Sequence, residues 1–200
     1  MRKITLRLSA VALAVALGPF ALRAEEPDPG EIVSPVLSLT PQELQAKQEF
    51  EERLKGYIDL HKKLEATLPK LSKEATPEEL DKNQRALGLL IKAERAAAKR
   101  GEFFSPGMEQ LVRRTMKSVL SGRDAKTIKG SIMDENPGVP DLQVNDRYPD
   151  SIPLSTMPPQ VLEPLPALTE DLEYRFIGQR LALVDSHAHI IVDFTNDVLP

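Results

Sequence analysis

The sequence predicts an α+β protein. An N-terminal helical hairpin and a third helix come first, then a Pro-rich extended strap, then a small C-terminal three-stranded antiparallel β-meander packing on the helices. Three observations predict this order. Helix starts of the form hydroxyl-then-proline recur at Thr40-Pro41, Thr76-Pro77 and Ser105-Pro106, each followed by apolar residues at spacings of three and four. Eight prolines crowd into residues 137–168, which neither helix nor strand ladder accommodates. Residues 169–200 then alternate apolar and polar side chains, interrupted by Gly178-Gln179 and by a polar run from Ser186.

The first 24 residues have the form of a signal peptide. Arg2, Lys3 and Arg7 make a basic start, and Leu8 to Leu22 is an apolar run broken near its end by Gly18 and Pro19. Ala24 is the expected last residue removed; a retained membrane anchor is the other reading. The expected compartment is therefore the bacterial periplasm or the exterior. Residues 25–39, rich in Pro and acidic groups, read as a flexible leader.

The helical region covers residues 40–136. "TPQE" at Thr40–Glu43 is a capping box with proline at the first helical position, and "TPEE" at Thr76–Glu79 repeats it. The first helix is predicted over 41–68, with the stripe Phe50, Leu54, Tyr57, Ile58, His61, Leu64 and Leu68 facing inward. A loop of about eight residues leads to the second helix, over 77–100. Its inward residues are Leu80, Leu87, Leu90, Ile91 and Ala97, and Gly101 closes it. The third, over 106–121, carries Met108, Leu111, Val112, Met116, Val119 and Leu120. Asp124 opens a short fourth helix through Ile128 and Ile132 that ends at Asn136-Pro137. In the strap (137–168), Val139, Leu142, Val144, Tyr148, Ile152 and Leu154 between the prolines predict a segment laid on the helices, with one helical turn from Thr156 through Val161 and Leu162.

The C-terminal stretch raises the question of function. Asp185, His187 and His189 alternate, so one extended strand would line all three up as metal ligands. Alternatively, Ser186–His189 is the four-residue loop of a hairpin. With a tight turn at Gly178-Gln179, Phe176 faces Leu181 and Tyr174 faces Leu183. With the second loop, Leu183 faces Val192 and Leu181 faces Phe194, collecting the large apolar residues on one side. Glu173, Arg175, Arg180 and Asp193 fall on the other, with Val184 and Ile191. The single strand instead mixes core leucines with three polar groups, which is costly unless a ligand pairs them. The hairpin explains the pattern better.

Asp185-x-His187-x-His189 resembles the first-strand metal motif of amidohydrolase-type enzymes. That family builds a barrel from the strands that follow, and only 11 residues follow His189 here, so the resemblance does not carry its activity over. Tyr174, Gly178, Leu181-x-Leu183-x-Asp185 and Ile191-Val192-Asp193 resemble the closing segment of small periplasmic proteins of the nickel/cobalt-homeostasis type. "LHKKLEATLP" and "RYPDSIPLSTMPPQVL" resemble stretches of a family of exported bacterial proteins with no assigned activity. These resemblances imply a fold unit and a compartment.

Composition narrows the function classes. The chain carries a formal charge of -4, and its first 24 residues hold four basic and no acidic groups, so without them it stands near -8. That disfavours nucleic acid and anionic lipid surfaces. No cysteine is present, which excludes disulfides, thiol catalysis and cysteine metal sites. No Gly-x-Ser-x-Gly and no phosphate-cradling glycine loop occurs. The charged residues Glu51, Glu52, Lys55, Glu94, Lys99 and Arg100 fall on predicted solvent faces. His61, between Tyr57 and Leu64 on an apolar stripe, reads as a hydrogen-bonded packing residue. The sequence thus points away from an enzyme. It points to an exported, non-catalytic binding or structural component of the envelope, without stable membrane insertion once the signal is removed, and with an unknown envelope protein as partner and no cofactor. The alternative is a periplasmic protein that binds or senses zinc, nickel or cobalt through Asp185, His187 and His189.

Overall fold

Thr40 and Thr76 each accept a hydrogen bond from the backbone N–H three residues on, while Glu43 and Glu79 reach back to the threonine N–H groups. Both capping boxes are therefore closed and fix where two helices begin. A computed structural model describes residues 38–134, 141–152 and 157–199, all within one compact unit, Pro35–Pro200. The predicted signal peptide, most of the leader, the Asn136-Pro137 stop, Val139 and Leu154 of the strap and the Thr156 helix start lie outside the described residues. Four helices lead: α1 Pro41–Glu65, α2 Pro77–Glu94, α3 Pro106–Val119 and α4 Ala125–Asp134. No described helix is long and apolar enough to cross a membrane.

The apolar stripes bury largely as their spacing predicts. Phe50, Leu54, Tyr57, His61 and Leu64 of α1 are buried, as are Leu87 and Ile91 of α2 and Met108, Leu111, Val112 and Met116 of α3. Phe103 and Phe104, on the turn before α3, meet Phe50 edge-on with ring centroids 5.4 and 6.0 Å away. Close contact between α1 and α3 depends on Gly107, where a Cβ would fall 2.7 Å from that of Ala46.

Some boundaries differ from expectation for identifiable reasons. α1 ends at Glu65, so the link to α2 (66–76) is longer than predicted. α2 stops at Glu94 rather than near residue 100, because Arg95 turns into the core. Its guanidinium donates to Asn145 Oδ1 (2.7 Å) and lies 5.2 Å from the Tyr57 ring centroid, and its carbonyl accepts from Asn145 Nδ2 (2.8 Å). Ala97, beyond that stop, is exposed. Leu80 is 51% exposed, two turns before Leu87, the first buried residue of α2. Ser105 makes no side-chain cap bond. Gly101, with φ of 92°, serves a turn rather than the helix end.

The sheet is an antiparallel meander in the order β1 (Leu172–Ile177), β2 (Arg180–Asp185), β3 (Ile190–Thr195). Phe176 pairs with Leu181 and Tyr174 with Leu183, and Ser186–His189 forms the second loop, as the hairpin reading requires. The second pairing departs from expectation in one respect. Val184 faces Ile191, but Leu183 faces Asp193 and Ala182 faces Phe194, which leaves Val192 as an extra residue in a β-bulge. The bulge exchanges two side chains. Asp193, predicted on the outer face, turns inward, where its carboxylate accepts from the backbone N–H groups of Gly101 (2.9 Å), Phe103 (2.7 Å) and Phe104 (2.9 Å). Phe194, predicted on the helix side, turns outward.

That outer face is not left to solvent. The strap was expected on the helices; instead its Leu142, Tyr148 and Ile152 pack against Ile177, Ala182, Val184, Ile191 and Phe194. Each fully buried large apolar side chain contributes about 1.5–3 kcal/mol. The strap also pairs with β3. Asn145 N donates to Ile191 O, Ile191 N to Asp146 O and Tyr148 N to His189 O, at 2.7–2.9 Å. These bonds cover an edge that would otherwise expose unpaired groups. A short helix, α5 (Pro159–Leu162), follows with Val161 buried and Leu162 exposed.

Candidate functional site

The β2–β3 loop meets the C-terminal end of α1, and the meeting is polar inside a largely apolar core. Asp185, last residue of β2, follows Leu181 and Leu183 on the face that packs on the helices. Its side chain is fully buried. A carboxylate there must be paired, and α1 supplies the partners. Tyr57 Oη donates to Asp185 Oδ2 at 2.7 Å, and His61 Nδ1 lies 2.6 Å from the same oxygen. Oδ1 accepts from Ala188 N at 2.6 Å, which closes the loop. Tyr57 and His61 are four residues apart on one helix face, so both reach one carboxylate.

These contacts decide how His61 is protonated. Burial alone would lower its pKa, but the hydrogen bond and charge of Asp185, with help from Asp171 and Glu65, raise it above the ordinary value. Burial, and then the Asp185 charge, push the Tyr57 hydroxyl far upward, so it remains a donor. With Nδ1–H committed to Asp185, Nε2 of His61 is the outward nitrogen. It is buried and has no hydrogen-bond partner.

Two further groups surround that nitrogen. His187 is carried by the loop, its ring centroid 5.3 Å from that of His61. Asp171 stands just before β1. The β1–β2 register pairs Leu172 with Asp185, so Asp171 comes level with Ser186, whose N–H and hydroxyl both donate to the Asp171 carbonyl. The result is a convergence of one ligand atom each from His61, Asp171 and His187, all within 4.8 Å of one another. Glu65, one turn beyond His61, lies at the rim. Its Oε1 is 3.8 Å from His187 Nδ1 and its Oε2 is 4.0 Å from His61 Nε2.

The three residues singled out from the sequence therefore take three different positions. Asp185 is spent on Tyr57, His61 and the loop backbone. His187 joins the convergent group. His189, at φ of 54°, points to the strap, with Nε2 3.1 Å from Asp150 Oδ1 and its ring edge-on to Tyr148. Among the described residues, the group that converges on one point is His61, Asp171 and His187. The sequence reading missed Asp171, and it saw only one half of His61, the hydrogen-bonded half. The available signals were the i,i+4 pair Tyr57/His61 on one stripe and the register that a correct hairpin forces on Asp171.

Two imidazoles and one carboxylate suit borderline divalent metals such as zinc, cobalt or nickel. A buried imidazole whose second nitrogen donates to a carboxylate is also the usual outer support of a metal-binding histidine. Comparison with known proteins gives no match: no family model, no curated protein and no solved structure aligns with this chain.

Proposed function

We propose that this chain is an exported, non-catalytic protein that binds a divalent transition metal through His61, Asp171 and His187. One observation carries the reading: the buried Nε2 of His61 has no partner, although its other nitrogen is held by Asp185 and two further ligand-type groups stand around it. An unpaired buried nitrogen costs about 1–3 kcal/mol, and a metal ion would satisfy it. The carboxylate–histidine arrangement orients the ring and raises its basicity toward the metal.

This reading keeps the metal class that Asp185, His187 and His189 suggest and changes the ligand set. Asp185 supports, His187 binds, and His189 stays with the strap. It is favoured over an envelope component that docks partners through its helical hairpin or its strap, because the unpartnered His61 Nε2 points to a ligand, while Leu142, Tyr148 and Ile152 of the strap are spent on the sheet and Val161 and Leu165 on the main core. The basic-then-apolar start of the chain supports export, with the periplasm or exterior as its place of work.

Calorimetric titration of the full-length protein with zinc, nickel and cobalt tests the proposal. One equivalent should bind with micromolar or tighter affinity. His61→Ala combined with His187→Ala should abolish the heat, and His189→Ala should leave it unchanged. No heat from the folded wild type, or an affinity indifferent to the double substitution, would overturn the assignment.

A further inference from the structure

Three ligands leave a position open on a four-coordinate metal, and the structure offers one group to fill it. We infer that Glu65 is the fourth, exchangeable ligand of this site, closing it to four-coordinate N2O2 geometry so that it holds and releases a metal rather than activating a bound water. The inference rests on the metal-binding reading above.

Three observations support it. The first is spacing. Metal–nitrogen and metal–oxygen bonds of roughly 2.0–2.2 Å put neighbouring ligand atoms of a tetrahedron about 3.3–3.5 Å apart. The Glu65 oxygens already stand 3.8 Å and 4.0 Å from the two imidazoles. Each distance belongs to a different oxygen, so a rotation of the exposed Glu65 side chain has to carry one of them inward to complete the polyhedron. The second is placement. Glu65 is the last residue of α1 and shares a helix face with His61 at i,i+4, so helix geometry itself aims both at one point. The third is contrast in burial. The His61 side chain is 3% exposed, whereas that of Glu65 is 46% exposed. The inner ligand is fixed by Asp185 and the outer one is free to leave, which is the asymmetry an exchanging site needs.

The ligand set also selects the metal. Two imidazoles and two carboxylates lack the soft sulfur that copper(I) favours and the all-oxygen shell that magnesium and calcium favour. Zinc(II) and cobalt(II) fit.

Cobalt(II) is the probe, because its visible absorption is intense in a tetrahedral field and weak at higher coordination. The full-length wild type, Glu65→Gln and Glu65→His should be titrated with cobalt(II) while absorbance is followed. Glu65 is exposed at a helix end, so its variants should fold, which circular dichroism checks. The wild type should show strong tetrahedral bands. Glu65→Gln should weaken affinity at least tenfold and lose most of that intensity, while Glu65→His, supplying a nitrogen at the same spacing, should restore both. Weak bands in the wild type, or a Glu65→Gln variant with unchanged affinity and spectrum, would overturn the role of Glu65 while leaving the three-ligand site standing. A folded wild type that takes up no cobalt would overturn both.

Discussion

At the scale of single residues, Asp185 does the most. It sits where the strand pattern puts a core side chain, and its charge is paired entirely from α1 and its own loop. Asp185→Asn keeps the shape but loses the acceptor strength that orients His61. Metal affinity should fall about 10–100-fold, as it does when outer supports of ligand histidines are removed, and competition against a chelating dye measures it. Glu43 is a second buried carboxylate with a different task. Burial alone would raise its pKa, but hydrogen bonds from the Arg114 guanidinium and from Thr40 hold it below the ordinary 4.5. A lowered folded-state pKa means stability that is present above about pH 4.5 and is lost as pH falls through the folded value. Denaturant unfolding at a series of pH values should show this loss in the wild type, and Glu43→Gln should flatten that part of the profile. Of these residues the sequence made Glu43 legible through its capping box, a local pattern. It could not show that Tyr57 and His61 await Asp185, because those partners lie more than 120 positions apart.

Elements were legible wherever the signal was local. Capping boxes, apolar stripes, the Gly178-Gln179 turn and the Ser186–His189 loop all depend on residues close in sequence, and all appear. Two things were not legible, and both are tertiary. α2 is cut short because Arg95 finds Asn145 on the strap, a partner invisible to helix periodicity. The bulge at Val192 exists because Asp193 gains three N–H donors from the 101–104 turn, and satisfying a buried carboxylate outweighs simple alternation. Asp193→Asn therefore tests the bulge. The amide would turn an NH2 toward backbone N–H groups and leave at least one donor unpaired. Stability should drop by about 1–3 kcal/mol, read by urea unfolding. An unchanged midpoint would show that those bonds do not hold the bulge.

For the molecule as a whole, the candidate site is a junction. His61 belongs to α1, Asp171 to the approach to β1 and His187 to the β2–β3 loop, so a bound ion would tie the helical part to the end of the sheet where β1 begins and β2 ends. The α+β order could be read from periodicity and proline density. The junction could not, since it depends on which faces of helix and sheet meet. Binding only to the folded form raises stability by RT ln(1 + [L]/Kd), about 2.7 kcal/mol when the free metal is 100 times Kd. The strap contributes at the same scale, covering the outer face of the sheet and the edge of β3. The proposed metal ion would sit among His61, Asp171 and His187. A crystal structure of the cobalt-loaded protein, with anomalous difference density recorded on either side of the cobalt absorption edge, tests that placement most directly. One strong peak is expected about 2 Å from His61 Nε2 and within bonding distance of Asp171 and His187. A peak instead beside His189 and Asp150, or no peak in the folded protein, would contradict that placement.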